Sequence, residues 1–144
     1  MEDFIESLKA EHEDIERELM ELEVIAQSQI VNYSNLLHVF KKIVALWDHH
    51  EKKEELIFPK LKRSNILIPV EKMLFDHREL KPYKDTIKRA IESGSEFEVK
   101  RALRVSGKVI SEKLREHIQD EENALFSAVL DQYTKEELNK IWAG

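Results

Sequence analysis

Hydrophobic residues recur at helical spacing along almost the whole chain. Four long segments show this pattern, at about residues 3–27, 34–58, 69–92 and 96–130. In each segment the apolar side chains fall at intervals of three and four residues, which places them in one stripe along an amphipathic helix. Four such helices joined by short connections form an up-down-up-down antiparallel bundle. The pattern therefore predicts an all-α protein built on a four-helix bundle.

Capping residues and helix breakers mark the ends of the predicted helices. They stand at Asn32–Ser34, Pro59, Pro69 and Ser93–Ser95. Pro82 falls inside the third segment, where it is expected to kink the helix. The residues from Thr134 to Glu137 form a capping-box sequence, which predicts a short fifth helix from Glu136 to Trp142.

Composition supports this picture and narrows the class of protein. The 144 residues predict one domain spanning 1–144, with 36% charged residues and only three glycines and three prolines. The chain has no cysteine, which excludes disulfides, thiolate metal sites and cysteine nucleophiles. Its net charge of −6, without a basic stripe, argues against nucleic acid as a partner. The acidic N-terminus and the lack of a long apolar run predict a cytoplasmic protein with no membrane partner.

One short phrase occurs twice in the chain. His50 is followed four residues later by Glu54, and His117 is followed four residues later by Glu121. Residues at i and i+4 lie on the same face of a helix, so each copy presents an imidazole and a carboxylate together. Buried carboxylates need a positive partner, and a metal ion is the natural one for a mixed histidine and glutamate face.

The depth of the histidines in the bundle strengthens the prediction of a metal site. His12 lies nine residues into the first segment and His77 eight residues into the third, while His50 lies eight residues before the end of the second. In an antiparallel bundle these positions fall in one layer, roughly 12 Å from one end at 1.5 Å per residue. The alternative is a solvated polar layer, which would leave imidazoles and carboxylates buried without a cation. His38 and His49 lie off the core-facing stripe and are not expected to bind metal.

The donor set indicates which metal to expect. Four imidazoles with two or three carboxylates exceed what one ion takes from a protein, so two ions bridged by carboxylates fit better. Nitrogen and oxygen ligands without sulfur suit iron or manganese, and availability favours iron.

The order of these residues resembles the hemerythrin family and its HHE cation-binding members. The resemblance rests on His12, His50-x-x-x-Glu54, His77 and His117-x-x-x-Glu121, and on the run Glu54–Pro59 (EELIFP). It spans all four long helices. It implies a non-haem di-iron centre with an oxo or hydroxo bridge. His12 and His50 would hold one iron, His77 and His117 would hold the other, and Glu54 and Glu121 would bridge them.

One position departs from the oxygen-carrying members of that family. They have a further histidine one turn before the third-helix ligand, where this chain has Met73. Glu51, next to His50, is a candidate replacement ligand, and a solvated surface charge is an equally good interpretation of it. A third carboxylate would favour higher iron oxidation states. The hypothesis is a centre that oxidises faster and binds O₂ less reversibly than a five-histidine carrier.

The resemblance implies several functions, which the sequence does not separate. The first is a di-iron protein that binds or senses O₂, or a related small oxidant such as peroxide, or NO. The second is a di-iron enzyme, a peroxide reductase or oxidase, or a protein for iron storage or delivery in stress repair. A third, structural interpretation is a bundle whose histidines hold zinc. Leu114 resembles the apolar residue that walls the O₂ pocket in the family, and core packing explains it equally well.

Overall fold

The computed structural model describes residues 4–62 and 70–143. Helices α1 (Phe4–Gln27), α2 (Tyr33–Lys62) and α3 (Val70–Ser93) are followed by a long fourth helix and by a short α5 (Lys135–Ala143). The fourth helix, α4, runs through five consecutive segments: Glu96–Ala102, Leu103–Gly107, Lys108–Asp120, Glu121–Phe126 and Ser127–Gln132. The described residues contain no strand, so the all-α prediction is confirmed.

Cross-helix ion pairs show that neighbouring helices run antiparallel. Between α1 and α2, Glu11 pairs with Lys53, whereas Glu18, further along α1, pairs with Lys42, which lies earlier in α2. Between α3 and α4, Lys72 pairs with Asp120, and Asp76 lies beside His117, again in opposite order. The start of the first helix in each pair therefore lies beside the later part of the second, as a single layer of histidines requires.

Local sequence accounts for three of the helix boundaries. Gly94 takes a positive φ of 65°, a conformation that favours glycine, and thereby ends α3. Ser95 then caps α4, because its hydroxyl accepts the backbone N–H of Glu98 at 3.3 Å. Before α5, the backbone N–H of Glu137 donates to Thr134 Oγ1 (3.2 Å), and that of Thr134 donates to Glu137 Oε1 (3.0 Å). This confirms the predicted capping box.

The proline boundaries were the least accurate part of the prediction. Pro59 lies inside α2, which continues to Lys62, so the predicted boundary there is wrong. Proline removes the hydrogen bond to the carbonyl four residues earlier, here that of Glu55. Both residues are exposed, so water can satisfy that carbonyl. Pro82 is likewise exposed and α3 continues through it, with Thr86 Oγ1 donating to the Pro82 carbonyl at 2.8 Å. Pro69 lies outside the described residues.

Two π-helical segments interrupt α4, at Leu103–Gly107 and Glu121–Phe126. The apolar spacing predicted a regular helix here, so neither π-helical segment was expected. At the first, a Cβ on Gly107 would lie 3.0 Å from Leu103 Cδ1, so the absence of a side chain allows this close contact. The second begins at Glu121. Single π-turns inside α-helices occur frequently at functional sites.

The apolar core is divided into two clusters. The larger one fills the middle and far end of the bundle and includes Phe40, Ile43 and Ile110. The smaller one, near the start of α1, includes Leu8 and Phe58, and α5 contributes Leu138 to it. The buried histidines and glutamates lie between the two clusters. Within the described ranges, no helix is long and apolar enough to cross a membrane.

Candidate metal centre

Six buried side chains form two groups that share both carboxylates. The first group is His12, His50, Glu54 and Glu121, and the second is Glu54, His77, His117 and Glu121. Within each group the candidate ligand atoms all lie within 4.8 Å of one another. The structure thus brings together six of the seven residues predicted from the sequence as metal ligands.

In the first group, two imidazoles from α1 and α2 face the carboxylates. His12 Nε2 lies 3.1 Å from Glu121 Oε1. His50 Nε2 lies 3.4 Å from Glu54 Oε2 and 3.4 Å from Glu121 Oε1. The two rings are adjacent, with their centroids 4.5 Å apart.

The second group repeats this arrangement with α3 and α4. His77 Nε2 lies 3.0 Å from Glu54 Oε1, and His117 Nε2 lies 3.1 Å from Glu121 Oε2. These ring centroids are 5.2 Å apart. In all four histidines, therefore, the Nε2 atom is directed at the two shared glutamates.

Two further carboxylates contact the Nδ1 atoms of two of these imidazoles, on the side of the ring away from the shared glutamates. Glu11 Oε1 accepts from His50 Nδ1 at 2.8 Å, and Asp76 Oδ2 lies 3.3 Å from His117 Nδ1. A hydrogen bond at Nδ1 leaves Nε2 as the nitrogen available to a metal. Although burial opposes it, the bonds to His50 and Lys53 lower the pKa of Glu11 to about 2, so it accepts as a carboxylate.

Sequence analysis missed both outer carboxylates, although a signal for them exists. Glu11 directly precedes His12, and Asp76 directly precedes His77. Each of these acidic residues reaches the histidine on the next helix along the chain rather than its own neighbour. The available clue was therefore an acidic residue directly before a candidate ligand histidine on both α1 and α3.

The buried histidines and glutamates shift one another's pKa values. Although burial lowers it, the charge of Glu54 and the hydrogen bonds that His50 donates to carboxylates raise the pKa of His50 to about 12. Burial likewise opposes the effect of Glu121, which raises the pKa of His117 to about 9. Burial and the charge of Glu121 raise the pKa of Glu54. Despite its own burial, hydrogen bonds hold the pKa of Glu121 well below its ordinary value.

The donor set fits a metal better than it fits a protonated polar layer. Among the described residues, no lysine or arginine pairs with Glu54 or Glu121, although both are fully buried. Three buried atoms in the centre, His50 Nε2, Glu54 Oε2 and Glu121 Oε2, make no hydrogen bond of good geometry. Unsatisfied buried polar atoms are costly, and cations are the partners that would satisfy a carboxylate pair.

The seventh predicted ligand, Glu51, lies outside both groups. Its Oε2 atom accepts from Lys84 Nζ at 3.2 Å, and Lys84 also pairs with Asp48 at 2.8 Å. Glu51 belongs instead to a more exposed group with Glu55 and His77. The buried lysine was not anticipated from the sequence. It lies seven residues, about two turns, after His77 on α3.

Other residues considered from the sequence lie around the centre. His38 and His49 are exposed, and His49 Nε2 pairs with Glu11 Oε2 at 3.3 Å. Neither belongs to the two buried groups. Met73 is fully buried in the smaller apolar cluster, and Leu114 is buried in the larger one.

Comparison with known families agrees with this geometry. Residues 3–129 match the model of the hemerythrin HHE cation-binding domain. The match covers most of the chain and contains all six buried residues, so the chain belongs to that family. No curated protein and no solved structure matched it significantly. Its membership and its buried histidine and glutamate cluster together define a cation-binding domain.

Proposed function

We propose that this protein is a non-haem di-iron protein. His12 and His50 would hold one iron, His77 and His117 would hold the other, and Glu54 and Glu121 would contact both. The observation that carries this proposal is the two-and-two division of the Nε2 atoms around a shared pair of carboxylates. A single ion would not need two such groups of ligands.

The ligand chemistry favours iron over zinc. A structural zinc site takes four ligands in a closed tetrahedron, often with thiolates, and this chain has no cysteine. Imidazole combined with carboxylate suits non-haem iron, and manganese shares part of that preference. Six protein ligands for two ions leave coordination positions open for a small molecule.

Within this assignment the protein binds or senses O₂ or a related small oxidant, or nitric oxide. Bound ferrous ions would supply the electrons and the open positions that such a ligand needs. The protein's own residues would exclude bulk water, since all six ligands are buried and apolar clusters lie on both sides of them. Glu11 and Asp76 would fix the ring orientation of His50 and His117.

A di-iron enzyme, a peroxide reductase or oxidase, is the second candidate, and Met73 favours it. That side chain is buried in the smaller apolar cluster at the position where oxygen-carrying relatives are expected to have a fifth histidine. Without that histidine the iron would have one nitrogen ligand fewer than in those relatives, which predicts faster oxidation of the iron. Glu51 would add negative charge if it exchanged Lys84 for the metal, which would favour the oxidised state further. Iron storage or delivery remains a third use of the same site.

Metal analysis combined with visible spectroscopy tests the proposal. We expect two irons per chain after anaerobic loading with Fe²⁺, and near-ultraviolet and visible charge-transfer bands after oxidation. One zinc per chain, or no iron after expression in iron-rich medium, would contradict it. Exposure of the reduced protein to O₂ then separates the candidates. A stable, reversible adduct supports a carrier or sensor, and rapid oxidation without one supports the enzyme.

A further inference from the structure

A second, more exposed group of ligand atoms adjoins the buried centre. Glu51 and Glu55 lie one turn apart on α2. Glu51 directly follows His50, and Glu55 directly follows Glu54. Together with His77 they offer three ligand atoms within 4.8 Å of one another. Glu55 is exposed, Glu51 is half-buried and His77 is buried. The group therefore leads from solvent to a residue of the centre itself.

His77 has a nitrogen to spare for this outer group. Its Nε2 atom is engaged by Glu54 at 3.0 Å. Its Nδ1 atom is buried and, within the described ranges, has no hydrogen-bond partner, although the residue is only 6% exposed. His50 and His117 both donate from this atom to a carboxylate, whereas in the described residues the Nδ1 atoms of His77 and of His12 have no hydrogen-bond partner. One imidazole nitrogen and two carboxylates form a suitable donor set for a divalent cation.

Among the described residues, the His12 and His50 side of the centre lacks an equivalent group. Glu122 follows Glu121 as Glu55 follows Glu54, and Glu122 Oε1 lies 3.8 Å from His12 Nδ1. The position matching Glu51, however, is the buried apolar residue Ile118. Among the described residues, a single carboxylate therefore lies near the Nδ1 atom of His12. In the part of the chain that the structure describes, a three-ligand outer group is found only at His77.

Lys84 weakens this outer group without blocking it. Its ammonium contacts Glu51 at 3.2 Å and offsets one of the two carboxylate charges. A cation held there is therefore bound less tightly than one between Glu54 and Glu121, where no lysine takes part. Because the outer group binds a cation more weakly than the buried centre does, an ion can move from the outer group inward.

We propose that Glu55, Glu51 and the outer nitrogen of His77 form a loading site that receives a divalent cation from solvent and passes it to the buried centre. Under the function proposed above, that cation is Fe²⁺. Transfer requires no redox step, because the ion exchanges the outer carboxylates for Glu54 and the inner nitrogen. His77 is common to both sites and so connects them.

Loading kinetics of the full-length, metal-free protein test this site. In anaerobic stopped-flow mixing with Fe²⁺, we expect Glu55→Gln to lower the loading rate by about 10-fold, the low end of what charge-lined clefts add to association rates. The final iron content and spectrum should match those of the wild type, because Glu55 belongs to neither buried group. The wild-type rate should also fall as ionic strength rises, and that of the variant should fall less.

Glu122→Gln is the matched control, since Glu122 stands behind His12 without a second carboxylate. It should load at the wild-type rate. Wild-type loading by Glu55→Gln, or equal slowing by Glu122→Gln, would overturn the loading site. Repeating the comparison with Co²⁺, followed by its visible bands, tests the loading site independently of iron. If Glu55→Gln slows Co²⁺ uptake and Glu122→Gln does not, but the protein never binds iron, the result contradicts the proposed function and not the loading site.

Discussion

Replacement of Glu11 by glutamine tests whether the outer carboxylates tune the metal centre. Glu11 accepts from His50 Nδ1 at 2.8 Å and pairs with Lys53 Nζ at 2.7 Å. Glutamine preserves the size of the side chain and an oxygen that can accept, but it removes the negative charge. The imidazole then becomes a poorer donor to a metal at Nε2, while its position in the bundle changes little.

The expected effect follows from the environment of this contact. Loss of an outer partner of a ligating histidine typically lowers metal affinity by about 10- to 100-fold. At about 1.4 kcal/mol per decade, that range corresponds to roughly 1.4–2.8 kcal/mol of binding free energy. The Glu11 side chain is only 17% exposed, so solvent screens the contact weakly. We expect Glu11→Gln near the lower figure, because its amide oxygen still accepts, and Glu11→Ala near the upper one.

Anaerobic competition with a chelator of known affinity for Fe²⁺ measures this change. Glu18→Gln provides a matched control from the same helix. Glu18 pairs with Lys42 of α2 at 3.4 Å, much as Glu11 pairs with Lys53, but no described contact joins it to a histidine. The control should therefore lose at most about 1 kcal/mol of stability and bind iron as the wild type does.

Two results would refute this reasoning. One is an unchanged iron affinity in Glu11→Ala, which would mean that the hydrogen bond to His50 does not influence the metal. The other is an equal loss in Glu18→Gln, which would trace the effect to general α1–α2 packing. Thermal unfolding of the metal-free variants separates a change in stability from a change in affinity.

The other predictions concern the ligands, the loaded protein and the last helix. His77→Ala and Glu121→Ala should each abolish stoichiometric iron binding measured by metal analysis, whereas the exposed His38→Ala should retain it. Iron at about 1,000 times its dissociation constant should stabilise the protein by about 4 kcal/mol for each bound ion, visible as a higher melting temperature; an unchanged value would argue against binding to the folded state alone. Thr134→Ala removes the α5 cap and should cost about 1 kcal/mol in chemical denaturation, and a neutral effect would show that α5 docking does not depend on its cap.

The sequence predicted the fold and the buried side chains of the candidate centre because both follow from periodicity. Helical spacing set the stripes, and the position of each histidine within its helix, such as His12 and His77, set its depth in the bundle. These quantities depend on backbone geometry alone. The directions of adjacent side chains are also fixed by the helix, about 100° apart, which is why the sequence separated His49 from His50.

The features that were missed depend on contacts between helices. Lys84 is one of many lysines in the sequence, and only tertiary packing places it against Glu51 and the Trp47 ring. The same holds for Glu11, one of many glutamates. The π-helical turns leave no periodic signal of their own, because one extra residue in a turn is absorbed locally. Pro59 is an error of the opposite kind, because a local signal was given too much weight. The proline predicted the end of α2, but the helix continues because water can replace the hydrogen bond to the Glu55 carbonyl.

The division of the core has a consequence for how the protein unfolds. The two apolar clusters meet across a layer of buried polar groups, so in the metal-free protein they share few contacts of the kind that make unfolding cooperative. The end of the bundle that contains Leu8, Phe58 and Leu138 can then open as a separate unit. Ligands from four helices held on common ions would join the two halves. Hydrogen exchange should accordingly show two protection levels without metal and one with it.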